Sequence, residues 1–225
     1  MFRKIVFAAA LVGVTTPAAG QELRQFQIGP RIGFINYDSE SGLDDAAMLG
    51  LDAMFSFTRN IGIGFRLDVA RPETDPKFFP AEMTFGDTTL IFAVTQPVTV
   101  LQYGAKVELT TGGSLALFAI GGVGGYRITL DPQVARGQRD ITDVGWDIGG
   151  GVSFQTIGGT RIRLEIHDFI FQDFRRADLD PVRPTFQGFP SQRFPDLVPP
   201  QPAFEGTAHN IHIAVAFAFT PGGGQ

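Results

Sequence analysis

The last strand-like segment of the chain, residues 208–220, alternates strictly between apolar and small or polar side chains. Ile213 and Phe217 lie on one face, whereas Asn210 and His212 lie on the other. A period of two residues is typical of a β-strand with one apolar face. The same pattern recurs over residues 25–37, 47–58, 61–70, 98–109, 114–130 and 144–155, and in a segment that starts at residue 160. It therefore predicts eight strands of about ten residues or more, long enough to cross a bilayer when tilted.

The connections between these predicted strands alternate between short and long. Tight turns are predicted at Arg59-Asn60, Gly112-Gly113 and Gly158-Gly159. Longer connections cover residues 38–45, 71–97, 131–143 and 175–207, and the last of them holds seven of the fifteen prolines. Within 71–97 we expect a long loop with some β-structure, because residues 88–95 could pair as a strand. Short turns at one end and long loops at the other are typical of outer-membrane barrels.

Alternation does not by itself distinguish a membrane barrel from a soluble barrel with an apolar interior. Residues 1–20 have the layout of a secretory signal peptide, since Arg3 and Lys4 precede an apolar run and small residues follow it. We expect the barrel domain to cover residues 21–225. The face opposite the apolar one is mostly Gly, Ala and Ser, which suits a narrow lumen. The sequence therefore predicts an all-β fold, an eight-stranded antiparallel up-and-down transmembrane β-barrel, in the outer membrane of a diderm bacterium.

Composition and charge narrow the possible functions. The chain has 23 acidic and 18 basic residues, with no basic run, so we expect no nucleic-acid partner. It has no cysteine, which excludes disulfides, thiolate metal sites and a cysteine nucleophile. The glycine-rich segment at 120–125 lacks the Lys-Ser/Thr of a phosphate-binding loop. The sequence predicts no cofactor, no metal site and no catalytic residue.

Aromatic residues gather near the ends of the predicted strands, as expected for belts at the two membrane interfaces. We expect one belt near the tight turns and one near the long loops, formed respectively by Phe55, Phe57, Phe154, Phe217 and Phe219 and by Tyr37, Tyr126 and Trp146.

Charged residues on the face of small side chains are predicted to point into the lumen. They are Asp52, Arg66, Asp68, Lys106, Glu108, Arg127, Asp147, Arg161, Arg163 and Glu165. The five acids and five bases of this set can pair with one another, whereas an unpaired charge in a narrow lumen is costly. Across the first tight hairpin, Asp52 and Arg66 lie at similar heights. An eight-stranded barrel has room for little besides its own side chains, so a salt-bridged plug is favoured over a path for ions or small solutes.

The pattern resembles the small OmpA-like and OmpX-like family of eight-stranded outer-membrane barrels, over essentially all of residues 25–220. The closing Ile213, Val215, Phe217 and Phe219 resemble the signal that the family's outer-membrane assembly machinery reads, although residues 220–225 follow the last Phe. The resemblance implies outer-membrane lipid, lipopolysaccharide and this machinery as partners. No motif identifies a subfamily function.

Three functional hypotheses remain open at this stage. The first is a structural or surface-interaction protein that acts through its external loops. In the 175–207 loop, Phe186, Phe189, Phe194 and Phe204 either contact an unknown ligand or form a cap folded over the barrel mouth. The second is a narrow pore. The third is a lipid-modifying enzyme, since some enzymes of this architecture act on lipid A with a histidine, and His167, His209 and His212 are the three histidines here. The acidic loop at 38–45 could hold a divalent cation, but its spacing does not match an EF-hand and a solvated loop is favoured.

Overall fold

The computed structural model describes residues 25–85, 87–93, 95–130, 140–156, 160–179 and 203–220. Its elements are the strands β1 (Gln25–Asn36), β2 (Ala46–Ser56), β3 (Ile61–Ala70), β4 (Pro80–Phe85), β5 (Thr88–Ala93), β6 (Val98–Thr110), β7 (Leu115–Leu130), β8 (Ile141–Gln155), β9 (Arg161–Arg175) and β10 (Glu205–Ala218), and the 3₁₀ helix Arg176–Leu179. No helix among these residues is long and apolar enough to span a membrane. The predicted signal peptide, residues 1–20, lies outside the described residues.

Within the described residues, eight strands form a closed barrel in the order β1-β10-β9-β8-β7-β6-β3-β2. Every neighbouring pair is antiparallel, and the barrel closes where β1 pairs with β10, for example at Phe34 and Ile213. Closure leaves no unpaired strand edge, which a backbone surrounded by hydrocarbon requires. The predicted fold class is therefore confirmed, and its strand bounds agree with the alternation pattern to within a few residues.

The apolar face of the strands lies on the outside of the barrel. Leu49, Ile148 and Ile213 are 62%, 60% and 59% exposed, whereas Arg163 and Glu165 are each 3% exposed. This arrangement is the reverse of a soluble barrel, in which apolar side chains would fill the interior and charges would face water. A surface of this kind is stabilised by lipid.

Strand β7 places Tyr126 and Arg127 on the opposite faces from those predicted. Leu115 and Leu117 are 69% and 62% exposed on the outer face, whereas Phe118, Tyr126 and Ile128 point inward and are buried. Both faces of β7 carry large apolar residues, because its inner face packs against other side chains inside the barrel. Alternation is therefore ambiguous in this strand, and the predicted outward position of Tyr126 and inward position of Arg127 were wrong.

The barrel interior is apolar in its half nearest the long loops. Tyr126 stacks on Phe171 with ring centroids 3.9 Å apart, and Phe171 packs against Phe174 at 5.8 Å. Leu179 of the 3₁₀ helix is fully buried in the same cluster. The other members include Ile35, Tyr37, Leu43, Met48, Phe79, Val98, Val100, Ile128, Leu130, Phe169 and Ala208. We call this set the apolar cap.

The short and long connections lie at opposite ends of the barrel. Phe57 N donates to Ile61 O at 3.0 Å, and Gly112 and Gly113 have φ of 72° and 98°, so the first two tight turns are confirmed. Gly158-Gly159 lies outside the described residues. Among the long connections, 71–97 contains the antiparallel hairpin β4–β5, so its expected β-structure is confirmed.

Candidate functional site

The lumen near the tight turns is crossed by an ion pair between Arg163 and Glu108. The guanidinium of Arg163 donates two hydrogen bonds to the carboxylate of Glu108, at 3.1 and 2.6 Å. Its Nε also donates to Glu165 Oε1 at 2.8 Å, and its charge lies 4.1 Å from the centre of the Phe118 ring. A bidentate, buried arrangement of this kind is among the stronger contacts of charged side chains.

The middle of the lumen is organised around Arg66. Its Nη1 donates to Asp147 Oδ2 at 2.5 Å, its Nη2 donates to Glu165 Oε2 at 3.1 Å, and its Nε lies 3.7 Å from Asp52 Oδ2. Lys106 donates to the same Oδ2 of Asp52. Asp52 and Arg66 are direct partners in the β2–β3 register, so the two side chains start at one height.

Arg31 extends this network towards the apolar cap. Its Nη1 donates to Asp68 Oδ2 at 2.9 Å, and its Nη2 lies 3.4 Å from Glu165 Oε2 and 2.8 Å from His167 Nε2. Sequence reasoning missed Arg31 as a lumen charge. The available signal was its position between Gly29 and Gly33 on the small-residue face of β1.

Two histidines lie at the upper edge of the ion-pair network. His167 and His212 are register partners on β9 and β10, and their ring centroids are 4.5 Å apart. Because the guanidinium of Arg31 can only donate, His167 Nε2 accepts its hydrogen bond, and Nδ1 carries the proton donated to Asp147 Oδ1 at 2.7 Å. Neither ring nitrogen of His212 has a hydrogen-bond partner among the described residues.

The buried charges of the described barrel strands do not balance. The buried lumen side chains comprise five carboxylates and four basic groups: Asp52, Asp68, Glu108, Asp147 and Glu165, with Arg31, Arg66, Lys106 and Arg163. With both histidines neutral, this set carries a net charge of −1.

One of the predicted lumen charges, Arg127, lies outside the lumen, and another, Arg161, lies at its mouth. Arg127 points outward, where its Nε donates to Asp140 Oδ2 at 2.8 Å and its side chain is 54% exposed, so its prediction as a lumen residue was wrong. The error follows from the inverted phase of β7. Arg161 lies at the mouth of the lumen near the tight turns and donates to Ser153 Oγ at 3.2 Å. This mouth encloses a cavity of about 390 Å³ whose lining includes Glu108 and Arg163.

Six of the eight predicted belt residues lie on the outer surface of the barrel, and two lie inside it. Trp146, Phe57, Phe154 and Phe219 are exposed on the outer surface, and Phe55 and Phe217 are partly exposed there. Tyr37 and Tyr126 belong to the apolar cap instead and are 4% and 0% exposed, so their prediction as interface residues was wrong. Both are amphipathic and close to strand ends, and sequence alone does not tell a belt from a cap.

The third histidine lies outside the lumen. His209 Nδ1 is 2.6 Å from Asp168 Oδ2, on the outer face near the long loops, and its side chain is 56% exposed. His167, by contrast, is 2% exposed inside the barrel. The structure therefore separates His209 from the other two histidines. Among the described residues, the His209 ring makes no hydrogen bond to a hydroxyl.

The acidic loop after β1 has structural contacts of its own. Asp45 accepts from Asn36 Nδ2 at 2.8 Å and from Tyr37 N at 3.0 Å, while Asp38 accepts from Glu40 N at 3.0 Å. Partial burial and the nearby carboxylates of Asp75 and Glu73 raise the pKa of Asp44. The carboxylates of Asp38 and Asp45 therefore cap backbone N–H groups of the loop.

Comparison with known proteins identifies the family. A family model described as the outer membrane protein beta-barrel domain matches residues 5–189. The chain belongs to this family. No curated protein matches the sequence. The family and the barrel together place the protein in the bacterial outer membrane.

Solved structures of small outer-membrane barrels share this fold. Neisserial surface protein A is 10% identical, with a TM-score of 0.50 over 86% of this chain and 97% of that chain. The outer membrane protein OprG from Pseudomonas aeruginosa is 9% identical, with a TM-score of 0.50 over 89% of this chain and 98% of that chain. At these identities the similarity shows the fold alone.

Proposed function

We propose that this outer-membrane barrel is non-conducting and acts through the loops at the capped end, as a structural or surface-interaction protein. The observation that carries the proposal is the filling of the lumen. Above the cavity near the tight turns, the ion-pair network comes first and the apolar cap follows. The side chains of both layers are less than a tenth exposed.

A solute crossing this lumen would have to separate buried ion pairs. Arg66 alone contacts three carboxylates, so its displacement would leave several charges without partners. Breaking one buried pair typically costs about 3–5 kcal/mol. A further barrier follows, because the Tyr126–Phe171 stack offers an ion no polar contact in place of its water shell.

The loops at the capped end are joined to one another. Arg176 donates to Glu40 O at 2.8 Å, and its guanidinium lies 3.9 Å from the centre of the Phe78 ring. Asp75 N donates to Gly42 O at 2.9 Å. These contacts link three separate connections into one surface. A preformed surface loses less conformational entropy on binding than free loops do, which suits a recognition role.

Planar-bilayer recording tests the closed lumen. Purified, folded wild-type protein is expected to produce no steady conductance at neutral pH, while a porin reconstituted in the same bilayer serves as the positive control. A reproducible steady current from the wild-type protein would refute the proposal and favour the narrow pore.

The orientation of the loops can be tested because the native chain has no cysteine. Ser39→Cys lies in an exposed loop at the capped end, and Ser114→Cys lies beside a tight turn at the opposite end. On intact cells, a bulky membrane-impermeant maleimide is expected to label the first variant and leave the second unlabelled until the cells are lysed. The reverse result would place the capped end in the periplasm.

A second candidate function, lipid modification, is favoured by the His209–Asp168 pair. A histidine held by a carboxylate is the arrangement of a general base, and this pair faces outward near the loop end of the barrel. Lipid A extracted from cells that express the wild-type protein or His209→Ala would decide the matter. A change in acylation that depends on His209 would support an enzyme, and identical lipid A would exclude this role for the pair.

A further inference from the structure

We propose that Asp68, His167 and His212 form a binding site for a divalent transition-metal ion, with Zn²⁺ as the best-fitting example. This inference does not depend on what the loops bind, because the site lies inside the barrel. One ligand atom from each of the three residues lies within 4.8 Å of the other two. The three residues come from β3, β9 and β10, and all three are at most 2% exposed.

The first argument is the set of buried polar atoms without partners. Asp68 Oδ1, His212 Nδ1 and His212 Nε2 have no hydrogen-bond partner among the described residues. Leaving such a group buried and unsatisfied costs about 1–3 kcal/mol. The orphaned atoms belong to two of the three candidate ligands, so a metal bound by Asp68 Oδ1 and one His212 nitrogen would give two of the three atoms a partner.

The second argument is the arrangement around His167. Its Nδ1 donates to Asp147 Oδ1 at 2.7 Å, so the carboxylate holds the ring and leaves Nε2 as the basic nitrogen. A metal-bound histidine usually donates its other nitrogen to a carboxylate in this way, which orients the ring and raises the basicity of the ligand. Asp147 would therefore be the carboxylate that hydrogen-bonds to the metal-bound ring of His167.

The third argument is charge. The buried part of the described lumen carries five carboxylates against four basic side chains, because Arg161 lies at the mouth near the tight turns. A cation in the buried part would reduce this negative surplus.

Two guanidiniums compete for His167 Nε2, since Arg31 Nη2 lies 2.8 Å and Arg66 Nη1 lies 3.2 Å from it. Arg31 Nη2 also lies 3.4 Å from Glu165 Oε2, and Arg66 Nη1 donates to Asp147 Oδ2. Both groups therefore keep a carboxylate partner when a metal takes the nitrogen.

The donor set selects the class of ion. Two imidazoles and one carboxylate suit Zn²⁺ and neighbouring first-row ions, whereas Mg²⁺ and Ca²⁺ prefer oxygen ligands. Zn–N bonds of about 2.0–2.1 Å place tetrahedral ligand atoms about 3.3 Å apart. The three side chains must therefore close around the ion from their present separation of up to 4.8 Å, and a water molecule would complete four ligands.

Metal retention tests the site directly. The wild-type barrel is refolded in detergent with Zn²⁺, treated with EDTA to strip surface metal and analysed for zinc by mass spectrometry. We expect a stoichiometric amount of zinc in the wild type, and loss of it in His212→Ala and in Asp68→Asn. The matched control is His209→Ala, which removes an exposed histidine on the same strand and should retain zinc. Zinc that stays in His212→Ala, or no zinc in the wild type, would overturn the proposal.

A spectroscopic readout covers the possibility that a lumen variant fails to fold. Refolding of the wild type and of His209→Ala with Co²⁺ is expected to give the intense visible absorption of a four-coordinate site with histidine ligands. Excess Zn²⁺ present during refolding should abolish this absorption. Co²⁺ that shows only the weak spectrum of the hexaaqua ion in the folded wild type would refute the site without any lumen substitution.

Discussion

Arg163 Nη2 lies 2.6 Å from Glu108 Oε2, although β7 and β8 separate their strands, β9 and β6, in the barrel wall. The contact therefore crosses the lumen and ties opposite sides of the sheet together. The same holds for Arg66 on β3 with Asp147 on β8. Ion pairs of this kind close the interior and also brace the wall.

Removal of one partner from the Arg163–Glu108 pair should destabilise the barrel. Glu108→Gln keeps the volume of the side chain but leaves the buried guanidinium without its bidentate carboxylate, and breaking a buried pair costs about 3–5 kcal/mol. Urea unfolding in detergent or lipid, followed by tryptophan fluorescence, measures this loss. Asp140→Asn disrupts the exposed pair with Arg127 and is the control, with an expected change of at most about 1 kcal/mol. Equal effects of the two substitutions would show that the lumen pair is as hydrated as the surface pair.

Asp52→Ala should lower the thermal midpoint of the folded barrel without opening a large conductance. Asp52 accepts from Lys106 and lies 3.7 Å from Arg66 Nε, so its removal leaves two buried cations with one carboxylate fewer. The apolar cap is unchanged by this substitution and still closes the lumen. Thermal melts measure the midpoint, and planar-bilayer recordings measure the conductance. An unchanged midpoint together with a new steady current would contradict the closed lumen.

Phe171→Ala should destabilise the apolar cap. Phe171 is fully buried and stacks on Tyr126 at 3.9 Å, and truncation of a buried Phe to Ala costs about 3–5 kcal/mol. The ion-pair network below remains, so we expect no steady conductance in this variant either. Leu49→Ala, on the outer face, is the control and should have a much smaller effect on urea unfolding. A steady current from Phe171→Ala, and none from Leu49→Ala, would show that the apolar cap rather than the ion-pair network blocks ions.

A charge on the outer face should be costly if that face meets hydrocarbon. Leu51 is 51% exposed in the middle of β2, and a Lys or Arg near the bilayer midplane costs about 2–4 kcal/mol. Leu51→Lys should therefore lower the unfolding free energy in lipid vesicles by about that amount. Ser39→Lys, at an exposed loop position, should be nearly neutral. Similar stability of the two variants would mean that water rather than lipid covers Leu51.

Gly29→Ala should weaken the closure of the barrel between β1 and β10. A Cβ at this position would lie 1.4 Å from Phe217 O, so the two strands would have to move apart. Overpacking of this kind costs about 1–3 kcal/mol. At Gly121, by contrast, a Cβ would meet nothing within 4 Å, so Gly121→Ala is the matched control. Urea unfolding measures the free energy of unfolding of both variants. Equal values would show that β1 and β10 can move apart at little cost.

The sequence alone determined the fold of this protein. The period-two alternation over eight segments, the tight turns between them and the charges among small residues sufficed, because each strand of a membrane barrel must show one face to lipid and the other to a narrow interior. It also placed most lumen charges, since Asp52, Lys106 and Glu165 lie on strands whose two faces differ clearly in polarity.

The tertiary structure decided which way the residues of β7 face and which residues meet across the lumen. Strand β7 carries apolar residues on both faces, so only packing against Phe171 shows that Tyr126 points inward and Arg127 outward. Alternation records which face a residue occupies, but it does not record which residues meet across the lumen. Asp68, His167 and His212 lie far apart in the chain and come together because closure of the barrel brings β3 to face β9 and β10 across the lumen.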